Sequence, residues 1–593
     1  MSNNVVSDNP ELESNALEPQ TAKTPKQKKI SKEKKEPKEK KSKSAATPAP
    51  SSLTFSLAAN GMSPMHRAGL GGLAATLYVL TSIRKKMEDE GLDSVFPFDS
   101  PLWNEDFSWE ITPTTVTLNF GKPENAAAFL EWLFSFAFQI KDEMIFLPGQ
   151  YAVQGVGVKE PPLGTRARLQ QGITLTFLQH GQTRKLGKDA KTVTYEIDGK
   201  NMSLSYKPCL EYTHQSAWKE WVNNKGELVL KQYSVQGPIH PGAVVRHQAF
   251  TASTIISQPL ELFIPLIFAL VGTLCLPISG GVGVLMVPFV DNLKAFAKKR
   301  CKITPMIYRD SMIVSLGDAA LQYEIRRRGG NFENIDGISG CDTVQFRPMP
   351  WSTQQKSRCE TLTVERIDPK TLQFYDMALH YLPSRILEAK KVSTEGKGKN
   401  AVKTETVEYF LVDSIVRPLV ADNLAREKYW FAGFAKLMSA IDPVSNKPLH
   451  QKISFEREGL NKMINDSKLD WKCDGARPLV QAVQQSLRQL YGKASSDQGV
   501  SSAGIKNRLE GEYDKWRMVF SGAKTPEQFR YALTDMFSRA KSVPSVQENW
   551  ESIMMLVVRD WQLARDLALL GLAGYKGEGK KDVLPEQENA STK

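Results

Sequence analysis

The chain has 593 residues, 41% of them hydrophobic and 24% charged, with a net charge of +12. This length and balance belong to a globular protein with several cores. The six cysteines are scattered and form no C-x-x-C pair, which excludes a disulfide framework and a cysteine-rich zinc site and suits a reducing cytoplasm.

Residues 1–50 read as a disordered tail. Its stretch 21–45, "TAKTPKQKKISKEKKEPKEKKSKSA", lacks the apolar surface needed to offset ordering entropy. It is either a solvated tail or a weak, salt-sensitive arm on a phosphate backbone. Without it the rest of the chain is close to neutral, so any nucleic-acid site there must be a local patch. Nothing at the N-terminus has the pattern of a secretory signal.

A mixed α+β body is expected over 51–404. "SLTFSLAA" reads as a strand, 68–91 as a helix, "SWEITPTTVTLNF" as a half-exposed strand and "ENAAAFLEWLFSFAFQIKDE" as an amphipathic helix. Strand-like runs dominate 165–250: "GITLTFLQHG", "KTVTYEIDG", "NMSLSYKP", "ELVLKQYSV" and "GAVVRHQAF". The uncharged stretch Leu262 to Val290 is long enough to span a bilayer, but prolines and a "PISGG" turn divide it. It predicts two buried strands around a turn, then a helix at "DNLKAFAKKR", and no membrane span. "DSMIVSLGDAALQYEIRRRGG" holds a helix; "CDTVQFRPMPW" and "RCETLTVERID" are strands. From about 405 the pattern turns helical, giving a connector over 405–462, an all-α bundle over 463–576 and a disordered end over 577–593. Thr525-Pro526 marks one helix start.

Gly69-x-Gly71-x-x-Ala74 formally matches a dinucleotide-binding turn. A second parallel strand does not follow, and the body shows adjacent strands rather than βαβ units. The glycines then serve close packing of the helix against the sheet, while His66 and Arg67 at its start are placed to meet a phosphate. The seven histidines form no metal-binding or catalytic spacing. No Walker loop, G-x-S-x-G or zinc-deaminase pattern is present. No catalytic residue, metal or cofactor is therefore expected. The alternative is a nucleotide-dependent enzyme or nuclease whose site no motif reveals.

Basic clusters are the candidates for binding. A loop between two strands carries Arg184, Lys185, Lys188 and Lys191, either a cationic finger on a backbone or a solvated hairpin tip. "EIRRRGG" gathers Arg326, Arg327 and Arg328. "MPWSTQQKSR" combines Trp351 with Gln354, Gln355, Lys356 and Arg358, side chains that stack, read base edges and neutralise phosphate. Arg246 and His247 end an apolar strand and either pair internally or line a site.

Seven motifs occur in one order: "HRAGLGGL" (66–73), "FLQHGQTRK" (177–185), "PGAVVRH" (241–247), "VPFVDNLKAFA" (287–297), "PWSTQQKSR" (350–358), "DNLAREKYWFAGFAKLM" (422–438) and "DKWRMVFSGAKTPEQFRYALTDMFSRA" (514–540). In this the chain resembles, over roughly 54–576, the large subunits of type I CRISPR Cascade complexes, in the Myxococcus-like branch also found in cyanobacterial type I-B systems. The Lys-rich tail is not part of that pattern. The resemblance implies a non-catalytic subunit at the guide RNA's 5′ handle. Such a subunit recognises the PAM duplex, helps open the R-loop, and recruits a helicase-nuclease or transposition proteins. Implied partners are guide RNA, target double-stranded DNA and the backbone and small Cascade subunits, with guide pairing supplying most of the specificity. The bundle resembles the small subunit, which such genes can also make from an internal start; Met438 and Met463 are candidates. The basic loops at 184–191, 326–328 and 354–358 are expected to meet nucleic acid.

Overall fold

The computed structural model describes residues 49–235, 239–241, 256–329, 338–348, 357–395, 402–442, 446–495 and 502–576. The chain opens with β1 (Ser52–Ser56) and α1 (Pro64–Asp89). Ser63 caps α1, Pro64 takes the first helical position, and the His66 ring returns to the cap's backbone N–H, a capping box with histidine in the glutamate's place. β2 (Ser108–Ile111) and β3 (Thr115–Asn119) follow, so "SWEITPTTVTLNF" is a hairpin rather than one strand. Both join β1 in an antiparallel sheet ordered β1-β3-β2. The apolar helix α2 (Ala126–Ala137) leads into two small hairpins, β4 (Gln139–Lys141) with β5 (Met144–Phe146) and β6 (Val153–Gln154) with β7 (Gly157–Val158).

The run "GITLTF" corrects the first expectation. Its first four residues end helix α3 (Leu163–Leu175) and the other two lie in the turn after it, none of them in a strand. Gly172 brings α3 onto the strand beside it: a Cβ there would lie 2.3 Å from the Cys275 carbonyl oxygen. Next come β8 (Arg184–Leu186), β9 (Lys191–Ile197), β10 (Lys200–Tyr206) and β11 (Cys209–Tyr212). β9 and β10 form a hairpin closed by Asp198 and Gly199, both at positive φ, the pair a two-residue turn favours. "ELVLKQYSV" supplies only β12 (Tyr233–Ser234), paired with β13 (Ser257–Gln258); "GAVVRHQAF" lies outside the described residues.

The apolar segment is corrected in its first half. Leu260–Gly272 is helix α4, with Pro265 inside it, and only then do strands β14 (Leu274–Ile278) and β15 (Val282–Val290) turn through Gly280 and Gly281. A run apolar on every side carries no periodicity to separate helix from strand. Among the described residues no helix is long and apolar enough to cross a membrane. The buried C-terminus of α4 needs partners for its carbonyls. Arg300 supplies them, donating to Val271 O (2.8 Å) and Thr273 O (2.6 Å), while Gln150 donates to Leu270 O (3.0 Å). Burial pushes the Arg300 pKa down to about 10, still cationic at neutral pH.

Helix α5 (Leu293–Lys299), as predicted, and α6 (Leu316–Arg328) lead to β16 (Ile338–Pro348) and β17 (Ser357–Glu365). These complete an antiparallel sheet ordered β14-β15-β16-β17. α1 lies on α4 with no side chains between: a Cβ on Gly69 would sit 1.8 Å from Pro265 O, and one on Gly272 equally close to Ala68 O. The tight packing is against a helix rather than the expected sheet. Every strand pair described is antiparallel, so the dinucleotide architecture is absent from the described residues.

After α7 (Pro369–Tyr381), β18 (Arg385–Glu395) and β19 (Val402–Val412) form a hairpin that runs across residue 405. Helices resume with α8 (Arg417–Ala425), α9 (Phe434–Ser439), α10 (Leu449–Ile453) and α11 (Arg457–Asn465). The bundle is α12 (Ala476–Ser495), α13 (Ser502–Gly522), α14 (Pro526–Ala540), α15 (Pro544–Arg559) and α16 (Trp561–Ala573). Thr525 caps α14 as the sequence indicates. One core gathers residues from Leu53 to Val364, the other from Leu321 to Ala573. The two large cores meet across α6 and α7. Met438 and Met463 are both fully buried in the second core.

Carboxylates fasten the helical part at helix N-termini. Asp422 accepts from Ser315 Oγ and the Gly317 N–H, both at 2.7 Å. Glu456 takes the Ile415 N–H at 2.6 Å, and Asp566 of α16 takes the N–H groups of Gly433 and Ala435 beside α9. Such a site offers a carboxylate both the unpaired amides and the positive end of the helix dipole.

His214 introduces a pH dependence. It is 2% exposed, packed among Phe138, Phe177 and Tyr212, and neither ring nitrogen has a partner. Burial pushes its pKa down to about 3. The unfolded chain binds a proton near the ordinary histidine value and the folded chain does not. The contribution is thus fully present above that value and is lost as pH falls, at roughly 1.4 kcal/mol per pH unit. Urea unfolding at pH 7 and pH 5 is expected to show His214→Phe losing about 2 kcal/mol less than the parent over that interval.

Candidate nucleic-acid interface

The basic loop following α3 divides into three roles. Arg184 is half-buried and its guanidinium donates to Thr174 O (3.2 Å) at the end of α3, so it serves the fold. Lys191 is exposed but held by Glu143 at 2.5 Å, which raises its pKa. Lys185, on β8, and Lys188, in the turn, are both exposed and have no ion pair among the described residues. The four-cation finger reduces to two free lysines beside a hairpin.

Arg326, Arg327 and Arg328 do not form an exposed cluster. Arg327 binds Glu324 with two N–H groups (3.1 and 2.5 Å) and Ile338 O with a third. Arg328 shares the same carboxylate at 3.0 Å and donates to Ile367 O. The Arg327, Arg328 and Glu324 side chains are 1–2% exposed. Arg326 turns back to Gln322 Oε1 at 2.9 Å. The spacing Glu324, Arg327, Arg328 is an i, i+3, i+4 set, a same-face ion pair the sequence displays. Arg67 is half-exposed and paired with Asp291 at 3.3 Å. Arg246, Gln354, Gln355 and Lys356 lie outside the described residues, and Arg358 is placed only as a strand position opposite Arg347.

A cleft of about 1770 Å³ lies where β17 and α7 meet the α8–α9 and α11–α12 connections. Phe374, Trp430 and Trp471 make its aromatic floor, with the Trp430 and Trp471 rings 5.6 Å apart. Six lysine or arginine side chains face seven carboxylates around it. That balance gives no net field for a polyanion. The sequence did not point to this cleft because its walls come from four separated stretches. Among the described residues no group of histidine, cysteine and acidic side chains is arranged to hold a metal ion.

The molecule is thus a mixed α+β body whose basic loops are partly internal, joined to an all-α end. The DevT N-terminal domain family matches residues 54–267 and the DevT C-terminal domain family residues 467–593. A Myxococcus xanthus (strain DK1622) protein described as "CRISPR-associated protein Cas8a1/Csx13" is 32% identical over 561 residues, which cover 91% of this chain and 90% of the relative. The chain belongs to that family of Cas8-like large subunits.

Proposed function

We propose that the chain is the non-catalytic large subunit of an RNA-guided type I Cascade effector. It holds the guide RNA's 5′ handle, recognises the PAM duplex of the target, helps open the R-loop and recruits a helicase-nuclease or transposition proteins. The observation that carries this reading is the full-length likeness to a Cas8a1/Csx13 protein. The free pair Lys185 and Lys188 supports it, since unneutralised cations beside a hairpin suit backbone contact. Guide pairing reads the target sequence; the protein adds a short duplex readout and backbone contacts.

The test is target binding by the assembled complex. Lys185→Glu/Lys188→Glu is expected to weaken duplex binding about tenfold or more and to flatten its salt dependence. Unchanged binding would remove this loop from the interface. The complex with its recruited nuclease withheld is expected to leave labelled DNA intact in magnesium; cleavage would contradict the non-catalytic assignment.

A further inference from the structure

Helix α5 and the turn after it carry a second set of cations. Lys294, Lys298 and Lys302 stand at i, i+4 and i+8 and are all exposed. Leu293, Phe296, Ala297 and Arg300, on the opposite side, are buried. None of the three lysines has an ion pair among the described residues. The carboxylate just before them, Asp291, is engaged by Arg67. Like charges one helical turn apart repel, costing a few tenths of a kcal/mol per pair. Among the described residues no carboxylate pairs with this face.

The mounting is rigid. Phe296 packs against Gly71 of α1, so closely that a Cβ there would lie 2.7 Å from the ring. The Leu293 N–H is held by Pro113 O at 2.8 Å. Arg300, the next turn's inward residue, is locked on the carbonyls ending α4. Lys294 and Lys298 lie one turn apart on α5, about 6 Å along its axis, and Lys302 follows in the 3-10 turn that ends it, so one fixed segment carries all three amines.

We infer that Lys294, Lys298 and Lys302 form a docking strip for the phosphodiester backbone of a nucleic acid, contacted without regard to sequence. A membrane surface fits less well, because an interfacial helix keeps its apolar face free for lipid and that of α5 is inside the core. The inference rests on the proposed nucleic-acid role and adds a contact surface to it.

The experiment uses the full chain in its complex and the triple variant Lys294→Gln/Lys298→Gln/Lys302→Gln, with a matching thermal unfolding midpoint as the folding control. Random-sequence duplex DNA, single-stranded DNA, single-stranded RNA and phosphatidylserine vesicles are each titrated over a range of salt. On the nucleic acid that uses the strip, the variant's log K against log salt slope is expected to fall by about 2–3, since each phosphate contributes roughly 0.9 on duplex and 0.7 on single strands. Which probe shows the loss tells DNA from RNA and duplex from single strand. Unchanged slopes on all three nucleic acids, or a loss on vesicles alone, overturn the strip. If Lys185→Glu/Lys188→Glu weakens binding while the triple variant does not, the strip falls and the larger reading stands. If the parent binds no nucleic acid, both fall.

Discussion

Glu324→Ala is expected to destabilise the protein by roughly 3–5 kcal/mol, read from urea unfolding. Arg327 and Arg328 both rest on this one carboxylate inside the protein. Deleting it removes the carboxylate that two adjacent buried guanidinium groups share, and breaking a buried pair by removing one partner is strongly destabilising. Their bonds to Ile338 O and Ile367 O tie α6 to the start of β16 and to the segment before α7. The damage would therefore fall where the two cores meet. Glu324→Gln keeps the shape and one acceptor, and is expected to lose less. The effect separates two roles for the arginines. If they contacted nucleic acid, Arg327→Ala would weaken DNA binding at unchanged stability; the structure predicts lost stability.

Gly69→Ala is expected to lose about 3 kcal/mol or more, at or beyond the upper end of what overpacking a core costs. By helix propensity alone the same change gains up to about 1 kcal/mol. The sign is decided by what the new methyl meets, which is the Pro265 carbonyl at 1.8 Å, part of a backbone that cannot rotate away. Gly511 provides the internal control. It lies within α13, exposed, and a Cβ there meets nothing within 4 Å. Gly511→Ala is expected to stabilise by up to about 1 kcal/mol. A Gly69→Ala protein as stable as the parent would mean that α1 and α4 do not cross backbone to backbone.

What the sequence discloses here depends on whether a segment's partners are near it in the chain. Thr525-Pro526 starts a helix because cap and first turn are local, and the "PISGG" turn closes β14 on β15 for the same reason. The run from Leu260 to Gly272 is silent because burial on all sides erases periodicity; its helical state is fixed by Gly69, Gly72 and Arg300, which lie far off in sequence. The basic clusters show the same limit. Charge can be counted from sequence, but whether an arginine is free depends on its carboxylate. For Arg327 and Arg328 that partner was legible, three and four residues back. For Lys191 the partner is Glu143, and for Arg67 it is Asp291. The lysines of α5 were passed over in the opposite sense: spread one per turn, they do not look like a cluster until the helix aligns them.

The most direct measurement is to isolate the tagged full-length chain from its native cells and sequence whatever RNA accompanies it. A guide RNA of uniform 5′ end, present with filament-forming partner subunits, is the predicted result. A chain recovered with neither, and unable to hold such RNA when the partners are supplied, would contradict the account.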